Sequence, residues 1–179
     1  MDLPEGSYIA RYLPNAFFSD RWTITVPTKR NVTAMSLYIE SLRRLPSWAN
    51  AFMRVRNVLC RMVGLKDIGV FHEVLRIKHP NDYLVGDRVG IFSVVSNEPN
   101  EVVLEDCDRH LNVRVSMQII PSNQDSTSQV SITTVVHAHN WFGKVYMIIV
   151  YPVHKLILWR STRQIKSLFQ SNRFLILPD

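Results

Sequence analysis

"HAHNWFGKVYMIIVYPVHKLILW", residues 137–159, decides the fold. It has three readings: a membrane anchor with histidines at its mouth, a metal site, or a helix packed on a protein core. A spanning helix needs about 20 apolar residues with few charges. Here the unbroken apolar run is Val145 to Val153, between Lys144 on one side and His154 and Lys155 on the other. "LILW" adds a short second run before Arg160, and Pro152 interrupts the whole. A charge near a bilayer centre costs roughly 2.5 to 3.5 kcal/mol on insertion scales. A packed helix is therefore the better reading, and no transmembrane segment is expected. Asn140 is a good N-cap just after a strand-like run. Pro152 removes one helix hydrogen bond and is expected to kink or divide the helix. Beyond it, Leu158, Ile165, Leu168 and Phe169 fall roughly on one face, with Arg160, Arg163 and Lys166 toward solvent.

Upstream, "QVSITTVVHAH" and "HLNVRVSMQII" read as two strands joined across the turn-rich "PSNQDSTS". In the first of these in the chain, Leu111, Val113, Val115, Met117 and Ile119 face one side. In the second, Val130, Ile132, Thr134, Val136 and Ala138 form the more apolar set. Directly opposed residues share a sheet face. Matching the apolar sets puts odd residues of one strand opposite even residues of the other, and a slip by one would reverse every side chain. His110, Asn112 and Arg114 then share the other face with His137 and His139; the symmetric closure sets His110 opposite His139, and a two-residue slip satisfies parity equally. These three histidines could form a metal or acid–base site. No acidic residue completes the set, so the expectation is a solvated polar face, with an anion-binding patch as the sharper alternative and no bound metal.

"GDRVGIFSVVSN", beginning near Arg88, and "EVVLE" supply two more strands, so four in a row imply an antiparallel meander before the long helix. Nearer the N-terminus, residues 17–26 read as a strand with Trp22, Ile24 and Val26 alternating. Thr33 or Asn31 caps a helix through "AMSLYIESLRRL". Ser47 caps a second helix with a stripe of Phe52, Val55, Leu59 and Met62, stopped at Gly64. The class is α+β: an antiparallel meander wrapped around a long C-terminal helix.

With 179 residues, the chain fits one domain, 1–179. Cys60 and Cys107 form no CxxC pair, which suits a reducing, cytoplasmic setting. "MDLPEGSYIARYLP" lacks the basic patch and apolar run of a signal peptide. The net charge of +6 reads first as a solvated basic surface. Without a basic tail or a run of like charges, nucleic acid is not the expected partner, and membrane-surface contact is the weaker alternative. No glycine-rich phosphate loop, GxSxG or HExxH occurs, and no cofactor is expected.

Three blocks, "WANAFMRVRNVLCRMVGLKDIG", "GDRVGIFSVVSNEPNEVVLEDCDRHLNVRVS" and "TTVVHAHNWFGKVYMIIVYPVHKLI", resemble the bacterial family called domain of unknown function 2867 over roughly residues 12–160. That family in turn resembles the helix-grip superfamily of lipid-transfer domains, polyketide cyclases and allergen-like carriers. The resemblance implies a sheet wrapped on a C-terminal helix, with an apolar ligand held between them.

The first functional expectation is thus a binding or carrier domain for a small apolar or amphipathic molecule. Trp141, Phe142, Tyr146, Met147 and Val150 crowd the expected sheet–helix junction. Tyr146, Val150 and His154, at i, i+4 and i+8, stay near one helix face and are the expected pocket lining; they drift by about 40° per step. The alternatives are an enzyme of the cyclase, dehydratase or hydrolase kind using histidine acid–base chemistry, and an interaction module presenting Arg43, Arg44, Arg54, Arg56 and Arg61.

Overall fold

The computed structural model describes residues 6–28, 32–62, 78–121 and 126–171. Its frame is one antiparallel sheet of six strands: β1 (Phe18–Pro27), β2 (Arg88–Val89), β3 (Phe92–Glu98), β4 (Glu101–Cys107), β5 (Leu111–Pro121) and β6 (Thr127–Ala138). They run β1-β6-β5-β4-β3-β2 across the sheet. Strands β2 to β6 are the meander. The sequence reads β2 and β3 as one strand; the structure breaks it at Gly90, where φ is +64°, a conformation glycine adopts without strain. The N-terminal strand β1 closes the far edge by pairing with β6 from Phe18↔Val136 to Pro27↔Thr127.

The expected β5–β6 register holds. Val113 faces Val136, Val115 faces Thr134 and Met117 faces Ile132. The pairing continues beyond the strands, where the His139 N–H donates to the His110 carbonyl at 2.8 Å. Met117, Ile132 and Val136 are buried on the helix side, with Val113 and Val115 half-buried beside them.

Among the described residues, three α-helices accompany the sheet: α1 (Ala34–Arg43), α2 (Ser47–Met62) and α3 (Trp141–Ser171). Thr33 caps α1 in a reciprocal box: its hydroxyl accepts from the Ser36 N–H while Ser36 Oγ accepts from the Thr33 N–H. Met35, Leu37 and Ile39 of α1 meet Val94, Leu104, Ile132, Leu158 and Ile165 in the main core. The Gln164 side-chain amide donates to the Arg44 carbonyl at 2.9 Å and ties α3 to the end of α1. The outer stripe of α2 at Val55, Leu59 and Met62, the stop at Gly64, and Arg56 and Arg61 lie outside the described side chains. Arg43 and Arg44 both pair with Glu40, at 3.8 and 2.6 Å. The arrangement is helix-grip-like, a sheet holding a long C-terminal helix.

Asn140 caps α3 as expected, its Oδ1 accepting the Gly143 N–H at 3.0 Å. Pro152 does not divide the helix, which runs unbroken through it. Proline at this position frees the carbonyl of Ile148, four residues earlier. Ile148 and Pro152 both lie on the exposed side, so the loss falls where no packing is disturbed.

The second sheet face departs from expectation. It is not left to solvent: residues 7–16, with a 3-10 turn at Tyr8–Tyr12, lie across it. Ile9 packs there against Val103 and Val135. Glu101 holds the segment in place. Its Oε1 accepts from Ser7 Oγ at 3.0 Å, Ser116 Oγ at 2.7 Å and the Ile9 N–H at 3.4 Å; its Oε2 accepts from the Tyr8 N–H at 2.7 Å. Ser116 and Thr133 are buried as a result, and β6 is covered on both faces.

Candidate functional site

Between the sheet and α3 lies a cavity of about 150 Å³. Its floor comes from β5 and β6, through Leu111, Val113, Val115, Thr134 and Val136; its roof comes from α3. Tyr146, Val150 and His154 all line it, joined by Met147, Val153 and Ile157 on the same helix. Phe52 and Met53 of α2 and Ile91 and Phe92 close one side. The helix spacing that groups Tyr146, Val150 and His154 thus corresponds to one wall. Apolar groups dominate, and the polar members are Asp106, Thr134, Tyr146 and His154.

His154 is fixed from across the fold. Its Nε2 lies 3.3 Å from Asp20 Oδ1 on β1, and both side chains are about four-fifths buried. Asp20 Oδ2 in turn accepts the Trp22 indole N–H at 3.2 Å. Asp20 faces the helices because its β1 register sets it opposite Thr134. The edge of Phe18 packs on the His154 ring, with centroids 6.1 Å apart. Sequence reading missed this carboxylate–histidine pair, because its members are 134 positions apart and no local spacing signals them. Trp141, grouped with the junction residues from sequence, is instead outside: the first residue of α3 points away from the sheet and is 74% exposed.

The histidines of the β5–β6 end go separate ways. The Asn140 Oδ1 accepts from the Gly143 N–H, and its amide nitrogen lies 2.8 Å from His110 Nδ1, while Arg109 Nε approaches His110 Nε2 at 3.2 Å. The His110 ring also packs on Phe142, with centroids 5.1 Å apart. His137 Nε2 reaches the Pro14 carbonyl at 3.1 Å, and His139 is exposed. Among the described residues, no three His, Cys, Asp or Glu side chains are grouped to hold a metal ion.

His137 and His139 do border an open cleft of about 420 Å³, with Arg11, Tyr12, Asn112 and Arg114. Arg114 lies 4.1 Å over the Tyr12 ring and pairs with Glu105 at 3.1 Å, so its charge is already answered. Burial, then the neighbouring Tyr8, push the Tyr12 phenol above its ordinary range, with Arg114 opposing them. This cleft holds the N-terminal segment together and offers an anion less than its two arginines suggest.

The chain belongs to the family described as Protein of unknown function (DUF2867), whose model matches residues 12–161. No curated protein matches it.

Proposed function

We propose that this member of the family is a carrier or binding domain for a small amphipathic molecule held between the sheet and α3. The observation that carries this reading is the lining of the cavity: a dozen apolar side chains with Asp106, Thr134, Tyr146 and His154 among them. Ligand sites are largely apolar with a few polar groups that set orientation. A space of about 150 Å³ takes a benzene-sized ring or the short apolar end of a longer molecule. Val150 and Val153 would contact that apolar part, and Tyr146 and His154 would meet the polar end. The resemblance to helix-grip carriers supports the same reading.

Native mass spectrometry of the protein as purified tests it. A small molecule retained under native conditions and released on denaturation is the expected result, and it names the ligand class. No retained mass, together with no uptake of a small aromatic probe, overturns the proposal.

The His154–Asp20 pair favours a second reading, an acid–base enzyme. A carboxylate on one ring nitrogen orients the imidazole and leaves the other nitrogen for proton transfer. The apolar lining favours the carrier. The two readings part on Asp20→Asn: an enzyme loses turnover, while a carrier keeps its ligand.

A further inference from the structure

Helix α3 has two apolar faces, and the fold uses one of them. Met147, Leu158, Ile165 and Leu168 are buried toward the core. On the opposite side Trp141, Val145, Ile148, Ile149, Leu156 and Trp159 are between 41% and 74% exposed. At about 100° per residue these six positions fall within an arc of about 100°, and they run about 27 Å along the helix. A soluble monomer seldom shows so continuous a patch unless something covers it.

The charges around the patch identify what that is. From Trp141 to Ser171 the helix carries Lys144, Lys155, Arg160, Arg163 and Lys166, and no Asp or Glu. Lys144 and Lys155 border the apolar arc on one side and Arg160 on the other, and Arg163 and Lys166 follow it toward the C-terminus. The cations lie close to aromatic rings at the border: Arg163 is 4.0 Å over Trp159 and Lys155 is 4.9 Å over Tyr151. Long basic side chains beside tryptophan and tyrosine suit a headgroup boundary, where the stem stays in apolar surroundings and the charge reaches phosphate. A second copy of the helix would set five cations against five with no acid to answer them.

We propose that the outer face of α3 docks the protein on an anionic lipid bilayer, lying in the interface with its apolar stripe in the acyl boundary. By length and composition α3 could also cross a bilayer. Crossing would pull its inner face from the sheet and break the His154–Asp20 pair, whereas surface docking leaves both in place. None of the stripe residues lines the cavity, so the proposal stands or falls apart from the ligand reading.

Vesicle co-sedimentation tests it, using phosphatidylcholine with and without phosphatidylserine. Binding to the phosphatidylserine vesicles is expected, weakened by added salt. Ile148→Ser with Ile149→Ser should reduce it about tenfold, and Arg160→Gln with Arg163→Gln by a similar factor. Circular dichroism confirms that each variant is folded. No vesicle binding, or equal salt-insensitive binding to both vesicle types, overturns the proposal. So does a concentration-dependent dimer, abolished by the Ile148 and Ile149 changes, in a protein that ignores vesicles.

Discussion

Asp20 on the edge strand and His154 in the middle of α3 meet at 3.3 Å. The contact joins the first strand to the last helix, across the wall of the cavity. Asp20 also accepts the Trp22 indole, so one carboxylate satisfies two largely buried donors. Asp20→Ala leaves both without a partner and is expected to cost about 1–3 kcal/mol, read as a lower urea midpoint. Asp20→Asn keeps an acceptor oxygen and should cost less. A loss within about 0.5 kcal/mol for the alanine variant, the range of ordinary surface changes, would show that the pair does not hold α3 to the sheet.

Glu101 performs the corresponding task on the other face. Two serine hydroxyls and two backbone N–H groups converge on its carboxylate. Glu101→Ala should therefore lower global stability by about 1–3 kcal/mol and, separately, speed amide exchange at Tyr8 and Ile9. Glu101→Gln is expected to be milder, since serine hydroxyls can rotate to accept from an amide. Uniform exchange changes across the whole chain would mean that Glu101 does not specifically hold residues 7–16.

Much of this architecture is legible in the sequence. Parity sets the faces of β5 and β6, because burial on the helix side groups Val113, Met117, Ile132 and Val136; it allows a two-residue slip equally, and of these registers the fold adopts the symmetric closure, with Leu111 opposite Ala138. The Asn140 cap and the group Tyr146, Val150 and His154 came from local rules of the helix. What was missed is non-local. The cover over the second face left one trace: "EVVLE" and the run from Val130 to Val136 do not alternate, as strands buried on both sides do not. Read that way, they announce a second layer, though not which segment supplies it. Two apolar faces on α3 blur its period in the same manner, which is why Trp141 was assigned to the junction.

Gly143 stands where the first turn of α3 crosses the end of β5. A Cβ built there would press into the His110 backbone carbonyl and touch the Ala138 side chain. The carbonyl is itself engaged by the His139 N–H, so it cannot simply move aside. Gly143→Ala should be destabilising by about 1–3 kcal/mol, although alanine is intrinsically the better helix former by about 1 kcal/mol. Differential scanning calorimetry checks the sign. A stabilised variant would mean that the strand end yields easily and that the close approach is not required.

Val150 offers the sharpest test of whether the cavity is usable space. It lies midway between Tyr146 and His154 on the α3 wall, so a larger side chain there enters the cavity directly. If the space is open to ligand, Val150→Trp should remain folded while uptake of a small aromatic probe falls about tenfold or more, since the indole occupies the volume the probe needs. If the core closes around that space in solution, the same change overpacks it and costs roughly 1–3 kcal/mol, with no probe binding in the parent to lose. Denaturation and fluorescence titration of parent and variant separate the two. A stable variant that binds no probe, beside a parent that does, supports the carrier. A destabilised variant of a parent that never took the probe shows solid core, and the carrier reading is then abandoned.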